Sequence, residues 1–240
     1  VRGLLTDKEL PSGTVLFRVP KRLWLTQSSL SSLAVCREIS GLALEKLRLA
    51  ITILIESKKN HSSFYAPFLR NALEHDGFNH LPFSAKDAVR TDFFALPMFH
   101  TLMKGSRSWH ERTSGCFERL QQEVDSPLAK ISKAELQAAI LTVETYAISF
   151  NSDGGGIVFI PGLSSLNTEY NAAVNSEWHP TDEACEIVTM KAVPAGGELL
   201  ANYCGEHCDN ERLVSQWGVY FEENSNRLNG LGEVDCAEST

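Results

Sequence analysis

The alternation of apolar and polar positions divides the chain into strands, a long helical block and strands again. Residues 1–25 predict strands, because Val15, Phe17 and Val19 occupy every second position of one segment. Helical periodicity dominates residues 26–130, with segments at 42–57, 62–73, 84–96 and 108–124. The first of these segments carries apolar residues on most sides, which predicts a buried helix.

Two later helices have clear boundary signals. Ser132 and Glu135 match a capping box, so a helix begins just after Ser132. Its apolar face extends to Ala147, and the polar, glycine-rich run that follows predicts its end near Asn151. Asp209 can cap a short helix that runs through Trp217, where a glycine ends it.

Short strands return in the last third of the chain. They are predicted at 157–161, 186–193 and 198–203, and a turn at 194–197 separates the last two. The strands near residues 14–19, 157–160 and 198–203 should share one β core. The order of elements therefore predicts an α+β fold, in which a split β domain carries a helical insertion.

Composition narrows the classes of function. The 240 residues are 43% hydrophobic and 22% charged, which is ordinary for a globular domain. A net charge of -8 and an isoelectric point near 5.4 argue against direct nucleic-acid binding, although an acidic surface can attract a basic protein segment. No apolar run reaches membrane-spanning length, so we expect no membrane association.

The cysteines and the glycine-rich run offer little chemistry. The cysteines are widely spread, and we interpret all of them as reduced thiols of an intracellular protein: Cys36, Cys116, Cys185, Cys204, Cys208 and Cys236. The close pair near residue 207 is weak evidence for zinc, so no metal is expected. The glycines at 154–156 lack the lysine of a phosphate loop and are interpreted as a turn.

Three stretches carry a resemblance to a known family. They are RGLLTDKELPSGTVLFRVPKRLWLT (2–26), PGLSSLNT (161–168) and PAGGELLANYCGEHCDNERLVSQWGVYFEEN (194–224). In this order they resemble the SET domain of the Rubisco large-subunit lysine methyltransferase family. The second stretch stands where the family has an Asp and then an Asn-His pair. The third has the Gly-Glu turn and the strand that ends in a tyrosine.

The resemblance implies an architecture. It implies a SET β core of short strands interrupted by a large helical insertion. The segments are an N-terminal SET segment (1–25), the insertion (26–130), a C-terminal SET segment (131–224) and a polar tail (225–240). We expect the C-terminal substrate-binding domain of the family to be absent.

The resemblance also implies a catalytic tyrosine, Tyr203. A tyrosine hydroxyl and backbone carbonyls can orient an amine and hold a methyl group during its transfer. Trp217, Tyr220 and Phe221 correspond to aromatics near the channel for the substrate lysine, where they could contact a methylated ammonium. Without the resemblance, Tyr203 is an ordinary strand tyrosine, and the other three aromatics pack the last helix.

The implied cofactor is S-adenosylmethionine, and its predicted contacts are Asn167, Thr168, Gly3, Leu4 and Tyr146. Asn167 suits the methionine part because its amide both donates and accepts, and a glycine lets backbone approach a ligand. Without the resemblance, Asn167 and Gly3 are turn residues.

Several residues depart from the family pattern. Tyr146 stands in place of an arginine, Ser164 in place of the aspartate and Thr168 in place of the histidine. The segment at 204–209 is also longer. These changes around one pocket predict cofactor binding that is weak or lost.

Three functions therefore stay open. The first is S-adenosylmethionine-dependent N-methylation of a lysine, or else a histidine, in a non-histone protein. The second is an inactive SET-fold scaffold whose partner is a larger protein complex, for example a plastid transcription complex. The third is a helical-insert binding protein that has no cofactor.

Overall fold

The computed structural model describes residues 3–26, 39–73, 112–122, 126, 128–149, 156–169, 173–203 and 209–224. Its strands are β1 (Leu4–Leu5), β2 (Val15–Pro20), β3 (Leu25–Thr26), β4 (Ile148–Ser149), β5 (Ile157–Phe159), β6 (Ser176–Pro180), β7 (Ala184–Thr189) and β8 (Glu198–Leu199). Its helices are α1 (Gly41–Lys58), α2 (Ala66–Leu73), α3 (112–122), α4 (Lys133–Tyr146) and α5 (Asn210–Trp217). Single 3-10 turns occur at Lys21–Leu23, Asn60–Ser62 and Leu163–Ser165. The helix predicted at 84–96 and the tail at 225–240 lie outside the described residues.

The strands form three small antiparallel sheets, ordered β1-β8, β2-β7-β6 and β3-β5-β4. Strands that are distant in sequence pair with each other, as Leu4 does with Leu199 and Val19 with Cys185. One buried cluster contains residues of all three sheets, among them Val19, Val158, Cys185 and Leu199. The prediction of one β core with added helices is confirmed.

The helices enclose a second buried cluster. Helix α1 packs along α4, and its buried residues include Leu47, Ile51 and Leu54, as predicted for a helix that is apolar on most sides. Phe117 of α3 and Phe159 of β5 belong to the same cluster and are completely buried. Strand β5 therefore lies between the helices and the β core.

The capping signals are confirmed, but the predicted end of α4 is wrong. Ser132 and Glu135 make both bonds of the capping box. The helix stops at Tyr146, and the chain enters β4, where Ile148 pairs with Val158. The apolar positions after Tyr146 fit a strand as well as a helix, and pairing with β5 satisfies the strand backbone.

The strand predictions need four corrections. The predicted strand at 186–193 is β7, which lies at Ala184–Thr189, and its partner β6 carried no strand signal strong enough to be predicted. The predicted strand at 198–203 is regular only in β8. In β2 a bulge lies between Val15 and Phe17, so Val15 is largely exposed instead of sharing the face of Val19.

The prediction of reduced cysteines is wrong for Cys116, which is completely buried and disulfide-bonded. Only packing brings sulfur atoms together, and spacing along the chain does not show it. Cys185 is free, and burial, assisted by the nearby Glu186 carboxylate, raises the pKa of its thiol to about 11. The other four cysteines lie outside the described residues.

We expect the start of α4 to make stability depend on pH. Bonds from Lys58 and from Ser132 lower the pKa of Glu135 from 4.5 to about 2. The ionised Glu135 carboxylate therefore stabilises the folded state. This contribution is fully present above pH 4.5 and is lost as the pH falls through about 2. In Glu135→Gln, which can still accept the Ser132 bonds, urea unfolding should show a smaller loss of stability across this window than in the wild type. Equal losses in the two proteins would contradict the prediction.

Candidate active site

Tyr203 and Asn167 lie next to each other in space. Asn167 forms a backbone bridge to Leu200, and its carbonyl accepts a 2.9 Å bond from the N–H of Ala201. The hydroxyl of Tyr203 donates a 2.6 Å hydrogen bond to the carbonyl of Leu166, the residue before Asn167. The structure thus brings the predicted catalytic residue and the main predicted cofactor contact to one place.

Tyr203 lines a cavity of about 480 Å³, which we name the aromatic cavity. Its wall also contains Tyr146, Ser164, Leu166 and Trp217. The cavity lies within the size range of small-molecule sites. Two of the departures from the family pattern, Tyr146 and Ser164, therefore face the same space as Tyr203.

The end of α4 fixes the position of α5 beside this cavity. The last carbonyls of a helix have no partner within the helix. Here the side-chain amide of Gln216 donates to the Glu144 carbonyl at 2.7 Å, and the indole N–H of Trp217 donates to the Thr145 carbonyl at 2.8 Å. Side chains of α5 thereby cap α4, and the Trp217 ring is fixed in the cavity wall.

The Trp217 ring packs against Tyr203. Their ring centroids are 5.2 Å apart and their planes are tilted by 43°. This distance and tilt are favourable for an aromatic pair. The indole thus supports the Tyr203 ring on one side, while the Leu166 carbonyl holds its hydroxyl.

Charged groups also line the aromatic cavity. The Lys46 ammonium of α1 lies 2.5 Å from the Glu144 carboxylate of α4, and each side chain is about one quarter exposed. Arg212 of α5 is a third charged lining residue. The wall carries both signs of charge and can hold polar as well as apolar parts of a ligand.

A second group of residues forms what we name the Asn167 cluster: Gly3, Asn167 and Glu198. The amide nitrogen of Asn167 donates to Oε1 of Glu198 at 2.7 Å. A Cβ built on Gly3 would lie 2.3 Å from the same Oε1 and 2.9 Å from the Asn167 amide nitrogen. A side chain at position 3 would therefore displace the Glu198 carboxylate and the Asn167 amide from their present positions.

Sequence reasoning missed Glu198 as a site residue. The sequence feature that could have identified Glu198 is the Gly-Glu turn of the third stretch, in which Glu198 follows Gly197. The pairing of Leu5 with Glu198 brings β1 alongside, so Gly3 meets the carboxylate. The bridge between Asn167 and Leu200, two residues after Glu198, places Glu198 beside Asn167.

The remaining predicted residues lie around these two groups. Leu4 is half-buried and packs on the β core, and Thr168 is half-buried after Asn167. Tyr220 is 62% exposed, and the backbone of Phe221 is bonded on both sides to the Asn210 side chain. Neither Tyr220 nor Phe221 is in the wall of the aromatic cavity. The segment at 204–208 lies outside the described residues.

Comparison with solved structures decides the fold. The structure of Rubisco LSMT bound to sinefungin and monomethyllysine aligns over 92% of this chain with a TM-score of 0.70 and 18% identity. The SET domain of LSMT bound to lysine and AdoHcy aligns over 90%, with a TM-score of 0.68 and 15% identity. The chain has a SET-domain fold. At these identities the likeness shows the SET fold alone.

The similarity has defined limits. The SET-fold chain spans about half the length of the solved structures that it matches. No protein-family model matches the sequence, and no curated protein is significantly similar to it. Within the described ranges, no helix is long and apolar enough to cross a membrane, and no group of His, Cys, Asp and Glu side chains is arranged to hold a metal ion.

Proposed function

We propose that this SET-fold chain is an S-adenosylmethionine-dependent protein N-methyltransferase that acts on a lysine side chain of a non-histone protein, with histidine as the second option. The observation that carries the proposal is the Tyr203 hydroxyl, which is bonded to the Leu166 carbonyl between the aromatic cavity and Asn167. The structural neighbours support it, since they are described as bound to lysine, AdoHcy and AdoMet.

The chain supplies the groups that such a transfer needs. S-adenosylmethionine, when bound, supplies an activated methyl group on a sulfonium. The Tyr203 hydroxyl donates its proton to the Leu166 carbonyl, so its oxygen is oriented to accept a hydrogen bond from the substrate amine and to align it for transfer. Trp217 and Tyr146 contribute aromatic rings to the cavity wall, which suit contact with a methylated amine. The net charge of -8 favours the approach of a basic protein segment.

The residues present fit the cofactor in part. The Asn167 cluster offers an amide and a carboxylate, which suit the polar methionine end. Tyr146 and Ser164, however, provide neither the positive charge nor the carboxylate that the resemblance predicts at these positions. We therefore expect weak binding.

A second candidate is the inactive scaffold. The observation that favours it is the presence of Tyr146 and Ser164 together in one cavity wall, because losing an arginine and an aspartate preserves the fold while weakening cofactor binding. In this case the partner is a larger protein complex instead of a protein substrate.

Calorimetry with S-adenosylmethionine separates the two candidates. For the enzyme we expect saturable binding that is weaker than submicromolar. A submicromolar dissociation constant would reject the scaffold, because the substitutions at Tyr146 and Ser164 would then be harmless. The absence of heat at millimolar cofactor, in a protein with a cooperative thermal melt, would reject the enzyme.

A further inference from the structure

A second cavity, of about 290 Å³, lies among the helices, and we name it the helical cavity. Its wall is formed by the end of α1, the 3-10 turn at Asn60–Ser62, α2 and the start of α4. It shares no lining residue with the aromatic cavity. Its volume is close to the lower limit for ligand sites, so its occupant must be a small molecule.

Part of the wall of the helical cavity is apolar. Leu54 of α1 and Leu69 of α2 line it and are almost completely buried, so they form its floor. Ala66 and Ala138 also line it, and their side chains are single methyl groups that leave the space between the helices unfilled. An alkyl chain placed on this floor would remove apolar surface from water on both sides of the contact.

The helical cavity also carries two cations and one anion: Lys58, Arg70 and Glu135. Glu135 accepts a bond from the Lys58 ammonium and is bonded by Ser132, and these bonds lower its pKa to about 2. Glu135 is therefore ionised near neutral pH, and Lys58 already balances its charge. One net positive charge remains, and it belongs to Arg70.

Arg70 is the free cation of this wall. It lies exposed on α2, and among the residues that the structure describes no carboxylate or carbonyl accepts a bond from its guanidinium. Glu135 does not serve it, because that carboxylate is bonded by Lys58 and Ser132. A guanidinium presents a planar pair of N–H donors that matches the two oxygens of a carboxylate.

We propose that the helical cavity binds a small monocarboxylate with a short alkyl chain. Its carboxylate pairs with Arg70, and its alkyl chain lies on Leu54 and Leu69. An ammonium would be repelled by Arg70, and an anion without an alkyl chain would leave the apolar floor unused. The inference does not depend on the proposed function, because neither Tyr203 nor S-adenosylmethionine takes part in it.

Three probes separate the contributions of the charge and of the chain. Hexanoate carries both, hexan-1-ol has the chain without the charge, and acetate has the charge without the chain. Protein-observed NMR titration suits weak ligands. We expect hexanoate to bind with a dissociation constant on the order of millimolar, as for a ligand of few atoms. The other two probes should each bind at least about tenfold more weakly.

Two substitutions in the wall should change the affinity in opposite directions. Arg70→Gln removes the cation and should weaken hexanoate binding about tenfold. Glu135→Gln removes the repelling carboxylate and releases Lys58, so it should strengthen binding about threefold. The matched control is Arg22→Gln, the same change at an exposed arginine that does not line the cavity. It should bind hexanoate like the wild type.

Ala138→Leu tests the apolar floor. Leucine is a good helix former, so α4 should persist while the larger side chain fills the space. We expect this variant to lose hexanoate binding and to keep a cooperative melt. If it does not melt cooperatively, the exposed Arg70→Gln and Arg22→Gln pair decides instead.

Three results would overturn the proposal. The first is a wild type that does not bind hexanoate at millimolar concentration. The second is binding of hexan-1-ol or acetate as tightly as hexanoate. The third is an Arg70→Gln variant that binds hexanoate as Arg22→Gln does, which would place the ligand elsewhere. None of these results bears on cofactor binding, so the proposed function is tested separately.

Discussion

Replacing Tyr203 with phenylalanine is expected to lower methyl-transfer turnover by about 10²–10³-fold, or roughly 3–4 kcal/mol of transition-state stabilisation. The hydroxyl that is lost is the group bonded to the Leu166 carbonyl, while the ring that packs on Trp217 remains. The stability cost should be only about 1 kcal/mol, since one hydrogen bond is removed from a half-buried group. The measurement is labelled methyl transfer to candidate proteins, with thermal melts of both proteins.

Asn167→Ala provides the contrast for this prediction. It removes the amide that bonds Glu198 and should weaken cofactor binding first, whereas Tyr203→Phe should leave cofactor affinity nearly unchanged. Turnover of Tyr203→Phe within a few-fold of the wild type would remove the residue from the active site. A wild type that melts cooperatively but methylates no candidate would favour the scaffold.

Truncating Phe159 to alanine is expected to lower the free energy of unfolding by about 3–5 kcal/mol. Phe159 is completely buried in β5, opposite Leu25 of β3, and packs into the helical cluster. Its neighbours Val158 and Ile160 face the β core, so a void there loosens both clusters. This loss is a large fraction of the 5–15 kcal/mol by which domains are ordinarily stable. Urea unfolding measures it.

The matched control is Phe64→Ala, the same chemical change at a side chain that is 55% exposed. Its cost should be about 1 kcal/mol or less, from lost contacts with Tyr65 and Phe68. Equal losses for Phe159→Ala and Phe64→Ala would show that β5 does not couple the helices to the β core.

Local signals in the sequence determined the helix starts and the tight turns. The cap at Ser132 and the cap at Asp209 each depend on atoms within three residues, and both form as predicted. Gly218 ends α5 with a φ of 68°, and Gly196 turns the chain before β8 with a φ of 78°. These backbone conformations depend on residues only a few positions away, so the sequence alone predicts them.

The resemblance and the order of elements also predicted the SET fold and the place where Tyr203 and Asn167 meet. Three stretches that are distant along the chain each resemble the family through their own residues. Few strand arrangements can connect these stretches in one β core. That step needed knowledge of a family, since no single motif at Tyr203 specifies chemistry.

Only the tertiary structure decided which distant groups touch. The end of α4 at Tyr146 depends on pairing of β4 with β5 and on caps from Trp217. The contact of Glu198 with Gly3 depends on β1 lying beside β8. The disulfide at Cys116 likewise depends on packing. The contacts of Gly3 with Glu198 and of Trp217 with α4 join residues far apart in sequence, and the free energy that selects them comes from burial and pairing that no local pattern records.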